Sequence, residues 1–227
     1  MLENLLSEIE LYPMTPISYT EDDFIALDLS TSNKALQHND LNSSSALHNF
    51  IQNTINRQNG KVAYGGYLEE RAIYKRSKHF TPKTSEFPRN IHLGVDIWCE
   101  AHTPIYAPLN GIIHSFNNNN NYGDYGPTII LKHELKDVVF YTLYGHLSLP
   151  SLKHIKQGEK IAQGQQIASL GTSEINGDYP PHLHFQIIKD IGEYTGDYPG
   201  VCSSQELDFF KMNCPDPVDF IRAKKIG

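Results

Sequence analysis

Two short clusters of histidine and aspartate carry most of the chemistry this sequence offers: Ile91-His92-Leu93-Gly94-Val95-Asp96 and Pro180-Pro181-His182-Leu183-His184-Phe185. His92 and Asp96 stand four apart, and His182 and His184 two apart. Side chains of an extended strand alternate with period two, so each pair shares a face and converges on one point, while Leu93, Val95, Leu183 and Phe185 face a core. Imidazoles plus a carboxylate suit zinc, and three protein ligands would leave the fourth tetrahedral position for water or substrate. Zinc held that way keeps its Lewis acidity and lowers the pKa of a bound water towards ~7, which supplies hydroxide for attack on an amide. A closed structural site would more commonly use cysteines, and there is no Cys-x-x-Cys pair. His-Glu-x-x-His, whose glutamate serves as general base, is also absent, so histidine must move the protons.

Tyr144-Gly145-His146-Leu147 lies between the two clusters, and with it the stretch 89–188 resembles the lysostaphin/LytM-type zinc metallopeptidases, with their three motifs in order. One such motif is weak, since His-x-His is common; three in order are specific. The resemblance implies a mainly β fold of the duplicated hybrid motif kind and one zinc ion. It implies His92, Asp96 and His184 as the zinc ligands and His146 and His182 as the catalytic histidines. It further implies an endopeptidase acting on peptidoglycan-type peptides that contain Gly or D-amino acids. One catalytic histidine would orient or deprotonate the water, and the other, if protonated, would stabilise the oxyanion or serve the leaving amine. Spacing does not assign the two roles. The other histidines, His38, His48, His79, His102, His114, His133 and His154, have no motif around them and read as surface or internally satisfied groups.

The elements that must hold these residues are short and β-rich. Residues 104–116 read as strand, turn, strand, and residues 128–133 and 138–144 as a hairpin. Antiparallel, sandwich-like sheets forming a groove are the expected architecture. Asn117 to Asn121 are five consecutive asparagines and read as an exposed loop, with Tyr122 and Tyr125 beyond it as candidate groove contacts. Gly94 lets another stretch of chain pass close between two ligands. Partners for the distal nitrogens of the ligand histidines are expected, but nothing in the sequence names them. Residues 64–74 read as a packed edge strand with its polar side in water; the alternative puts Tyr67, Arg71 and Tyr74 near the cleft.

Three regions are expected: a helical and irregular appendage over 1–85, the zinc peptidase domain over 86–190, and an irregular tail over 191–227 packed on that domain. In the appendage Leu2, Leu5, Leu6 and Ile9 share a helix face that ends before Pro13. Ser44 or Ser45 caps a second helix carrying Leu47, Phe50, Ile51 and Ile55. The length of the appendage also suggests that it lies over the groove.

Composition bounds the rest. The 227 residues suffice for a real core, and 39% hydrophobic with 20% charged residues is ordinary for a globular chain. A formal charge of -7, from 19 basic and 26 acidic residues without a basic block, argues against nucleic acid and anionic membranes as partners. No apolar run is long enough to span a bilayer. The expected partner is a peptide or peptidoglycan-type substrate, with oligomeric state open. Met1-Leu2-Glu3 carries acid where a secretory signal carries positive charge, and Cys99, Cys202 and Cys214 lack a disulfide spacing. Both features suggest a cytoplasmic protein, or a periplasmic or extracellular one if a leader has been removed. Two alternatives stand beside the endopeptidase. Residues 89–200 also look like the peptidase-like segment of multidomain proteins with kinase-like and aminotransferase domains, which suggests a cytosolic zinc hydrolase of small amides or peptides. The other alternative is a non-catalytic zinc-binding module.

Overall fold

The computed structural model describes residues 2–221 apart from 17, 38–42, 78–79 and 81–86, so His38 and His79 lie outside the described residues. The strands are β1 (Phe24–Ala26), β2 (Val62–Gly65), β3 (Ile91–His92), β4 (Val95–Trp98), β5 (Pro104–Tyr106) and β6 (Gly111–Asn119). They continue with β7 (Gly126–Leu135), β8 (Val138–Gly145), β9 (Lys160–Ile161), β10 (Gln166–Ser169), β11 (His182–Ile188) and β12 (Val201–Cys202). Helices α1 (Leu2–Ser7), α2 (Lys34–Gln37), α3 (Ser44–Arg57), α4 (Leu207–Asn213) and α5 (Val218–Ile221) flank them. The fold is mainly β. Eight strands form one sheet in the order β1-β2-β4-β11-β8-β7-β6-β9, and β10-β5 and β12-β3 form two small ribbons.

Strand β11 lies between β4 and β8, antiparallel to both, and every one of its residues is buried. Its alternation divides the molecule. Leu183, Phe185 and Ile187 enter the main core with Ile97, Ile129, Phe140 and Tyr144, while His182, His184 and Gln186 point to the opposite face. The β7–β8 hairpin turns at Lys136 and Asp137, whose φ values of 47° and 69° give the twist that matches flanking strands. Ser115 and the buried Asn119 reach residues beyond the sheet: Ser115 Oγ accepts from the Gly196 amide, and Asn119 Nδ2 donates to Gly196 O and Thr128 Oγ1.

Several expectations change against this frame. The asparagine run is not wholly loop, because Asn117 to Asn119 complete β6 and side-chain amide bonds replace apolar packing there. His92 and Asp96 do not share a strand. The chain breaks at Leu93 and Gly94, so that β3 pairs with β12 while β4 joins the main sheet. Segment 1–85 is more than helix and irregular chain, since β1 and β2 extend the sheet and Gly65 pairs with Asp96. The tail beyond 190 likewise contains β12, α4 and α5. Helix α3 is capped by Ser43, one residue earlier than expected, whose Oγ accepts from the Ala46 amide at 3.1 Å. Leu47, Ile51 and Ile55 of this helix pack on Leu27, Leu29, Ala63 and Trp98, the last of these on β4 with Asp96. The three cysteines are free and buried, and no helix among the described residues is long and apolar enough to cross a membrane.

Candidate metal centre

Antiparallel register sets His184 of β11 directly opposite Asp96 of β4, and β3 delivers His92 from the side. Nε2 of His92 is 2.8 Å from Nδ1 of His184, and Oδ1 of Asp96 is 3.3 Å from each. A tetrahedral ion with metal–ligand bonds of 2.0–2.1 Å would put its ligand atoms about 3.3 Å apart, so the two spacings to Asp96 fit zinc and the imidazoles would part by about half an ångström. All three residues are at most 2% exposed. Gly94 makes the approach possible: a Cβ there would sit 2.6 Å from the Phe185 carbonyl oxygen and 2.7 Å from His184 Nε2.

Hydrogen bonds fix where the protons are. Nδ1 of His92 is 2.9 Å from the Gly66 carbonyl, which can only accept, so Nδ1 carries the proton and Nε2 is bare. The Gln186 amide nitrogen donates to Pro199 O at 3.1 Å, which turns its Oε1 to His184 Nε2 at 3.0 Å. His184 therefore donates from Nε2 and presents a bare Nδ1. Burial, aided by Arg71, pushes His92 down to about 4 and keeps it neutral. Burial works to raise the Asp96 carboxyl, but His92 and the Arg71 guanidinium hold it well below the usual carboxylate range. Arg71 Nη1 donates to Asp96 Oδ2 at 2.5 Å, so Oδ1 is the oxygen that faces the histidines. Three acceptors thus converge with no proton between them, an arrangement that is repulsive until a cation occupies it. No fourth residue joins this group among the described residues.

His146 and His182 lie beside the triad. Strand β8 ends at Gly145, and His146 takes the left-handed conformation, φ 60°, with its amide donating to Tyr125 O at 2.9 Å. Its Nδ1 donates to Asn176 O at 2.7 Å, and His182 Nδ1 donates to Pro180 O at 2.8 Å. Each ring is left with Nε2 to offer. His182 Nε2 is 3.7 Å from Asp96 Oδ1, the two rings are 4.1 Å apart, and His182 stacks on Trp98 at 4.0 Å. Burial lowers His182 to about 4 and drives His146 well below the usual histidine range, so both rest neutral. Tyr125 is buried with its hydroxyl 3.4 Å from His184 Nε2 and lines the cavity, whereas Tyr122 is 51% exposed. The cavity, about 370 Å³, runs from the triad to Tyr194, Tyr198 and Phe210.

The outer ring of partners follows the alternative reading of residues 64–74, since Arg71 and Tyr74, though not Tyr67, line the cavity. Arg71 is 3% exposed and ion-paired to Asp96, so the reading of residues 64–74 as a strand with its polar side in water fails for it. The chain turns inward at Gly66, φ 110°, within the double glycine that permits a tight turn. Gln186 was legible in principle, since period two puts it on the same face as His182 and His184. Gly66 O and Asn176 O are backbone atoms with no sequence signature.

The sequence matches peptidase family M23 over residues 90–196. It is 29% identical over 138 residues to the peptidoglycan DD-endopeptidase ShyC of Vibrio cholerae, covering 58% of this chain and 29% of that protein. It is also 29% identical over 131 residues to the L-Ala--D-Glu endopeptidase of Bacillus subtilis, covering 54% of this chain and 38% of that one. The chain thus spans about a third of the length of these relatives. Among solved structures, the catalytic domain of lysostaphin from Staphylococcus simulans is similar at 28% identity, with a TM-score of 0.37 over 54% of this chain and 80% of that one. The chain contains a peptidase family M23 domain over residues 90–196.

Proposed function

We propose that this chain is a zinc-dependent metallopeptidase that hydrolyses amide bonds in peptidoglycan-type peptides. His92, Asp96 and His184 would hold one zinc ion, and His146 and His182 would carry out the proton transfers. The observation that carries the reading is the convergence of three proton-free acceptor atoms 2.8–3.3 Å apart beside two neutral histidines. The M23 match and the endopeptidase names of the relatives support the substrate class.

When bound, zinc supplies Lewis acidity and lowers the pKa of a water ligand towards about 7. The chain's own residues do the rest. Arg71 and Gly66 O keep Asp96 and His92 aimed at one point. His146 and His182, each anchored through Nδ1, present Nε2 to the reacting atoms; one takes a proton from the attacking water, and protonated histidine serves the leaving amine. Burial of all five side chains excludes bulk water and strengthens these interactions.

The same burial favours a second reading, in which the cavity admits short peptides or small amides rather than an intact wall polymer. Elemental analysis of the full chain and of His184→Ala, with turnover assays on purified peptidoglycan and on Gly-Gly and D-amino-acid peptides, separates these. About one zinc per chain, lost in the variant, with wall cleavage is the expected result. Cleavage of peptides alone supports the second reading, zinc without turnover supports a binding module, and no zinc after reconstitution overturns the proposal.

A further inference from the structure

Two of the three candidate ligands take their outer partner from one short segment that precedes the family match. Strand β2 pairs with β4 so that Gly65 faces Asp96, and the chain then folds back over the triad. Gly66 carries the carbonyl that orients His92. A Cβ at this position would lie 2.0 Å from Arg71 Nη2 and 2.8 Å from His92 Nδ1, so only glycine lets the backbone sit there. Five residues on, Arg71 grips Asp96 Oδ2 at 2.5 Å. Arg71 is itself fixed: Nε donates to Glu69 Oε2 at 2.5 Å, and Glu69 Oε1 accepts from the Leu29 amide at 2.9 Å.

We infer that residues 62–74 are a working part of the metal centre, with Arg71 as the positioning residue for Asp96 and Glu69 as the charge that makes Arg71 tolerable there. The inference rests on the reading of the triad as a zinc site. A carboxylate has two oxygens and can chelate through both. With Oδ2 committed to the guanidinium, only Oδ1 is offered, which keeps coordination at three protein atoms and leaves the fourth position to substrate or water. A guanidinium beside a divalent cation would repel it, and Glu69 offsets that charge across a 2.5 Å contact. The N-terminal segment is therefore built into the site, rather than laid over it as a removable cover.

The test uses the full-length chain and reads metal rather than activity alone. Zinc affinity is measured by competition with a chromophoric chelator, and the coordination is read from the visible absorption of the cobalt(II)-substituted protein. Arg71→Met is expected to weaken zinc binding about 10- to 100-fold, the range for outer partners of metal ligands, and to change the cobalt spectrum as Oδ2 is released. Arg71→Lys is expected to recover part of the affinity but not the spectrum, because an ammonium lacks the planar fork. Glu69→Gln is expected to weaken binding in the same direction, by less. If Arg71→Met does not fold, Arg71→Lys and Glu69→Gln decide the matter. Folded variants that bind zinc like wild type with an unchanged cobalt spectrum overturn this inference and leave the zinc proposal standing. A wild-type chain that binds no zinc overturns both.

Discussion

Gln186 Oε1 accepts the hydrogen bond from His184 Nε2 at 3.0 Å, while the same amide donates to Pro199 O and to Cys214 Sγ. The two donor contacts fix which end of the amide faces the histidine, and that end fixes the tautomer. Replacing Gln186 with leucine removes the acceptor and frees the imidazole to carry its proton on Nδ1, the nitrogen that faces Asp96. Gln186→Leu is therefore expected to weaken zinc binding about 10- to 100-fold. The Pro199 carbonyl also loses its donor, a loss of about 1–3 kcal/mol that a denaturant melt of the metal-free protein will show separately. Unchanged zinc affinity in a folded Gln186→Leu chain would refute this role.

Among the described residues, His146 and His182 are the histidines beside the triad that are not part of it, and each is tethered through Nδ1 to a backbone carbonyl. Alanine at either position is expected to lower kcat by about 10²- to 10⁴-fold, the usual contribution of a general acid or base. Zinc content should remain near one per chain, in contrast to alanine at His92, Asp96 or His184, where the metal itself is lost. Loss of zinc in His146→Ala would move that residue from proton transfer to metal binding.

Much of the centre was legible because its side chains lie on one strand face or at a strand end. His182 and His184 alternate with Leu183 and Phe185, and that period survives in β11. The β7–β8 hairpin and helix α3 were legible for the same reason, a hydrophobic repeat bounded by turn or cap residues. Arg71 was not. Its burial depends on Asp96, twenty-five residues later, and on a turn at Gly66 that brings the segment back over the sheet. Local patterning sees a charged residue beside Glu69 and Glu70 and assigns it to water. The asparagine run misled for a related reason, since Asn119 is buried by hydrogen bonds to Thr128 and Gly196 that only the folded chain supplies.

Arg76 links the N-terminal segment to the loop that holds His146. Its side chain is 4% exposed, it donates to the carbonyl and carboxylate of Asp178, and its guanidinium lies 4.4 Å from the Tyr179 ring centroid. Tyr179 packs edge-on against His146 at 5.2 Å, and Asn176 in the same loop accepts from His146 Nδ1. Removing the guanidinium should loosen residues 176–179 and let His146 drift. Arg76→Ala is expected to raise amide hydrogen exchange in that loop and to lower kcat by about 10- to 100-fold, the scale of an ångström-sized misplacement, with zinc content unchanged. Lysine should not restore it, because a single ammonium cannot reach both oxygens and cover the ring. Wild-type exchange and turnover in Arg76→Ala would show that the loop holds itself.

His133 offers a test of stability away from the site. It lies buried at the β7–β8 pairing, with Nδ1 donating to Asn110 O at 2.8 Å, Nε2 2.7 Å from the Thr142 hydroxyl and the ring stacked on Phe140. Burial pushes its pKa down to about 4, from an unfolded value near 6.5. Because the folded chain holds this histidine neutral, its contribution is fully present above pH about 6.5 and is lost as pH falls towards about 4, while the unfolded state gains the proton. Within that window the residue should make unfolding easier by about 1.4 kcal/mol per pH unit. Denaturant melts of wild type and His133→Gln, both with chelator so that the metal site is equal, should diverge by that slope between pH 6.5 and 4.5, with the variant less sensitive to acid. Parallel curves would mean that His133 is protonated in the folded chain or reaches water, against its buried position in the sheet.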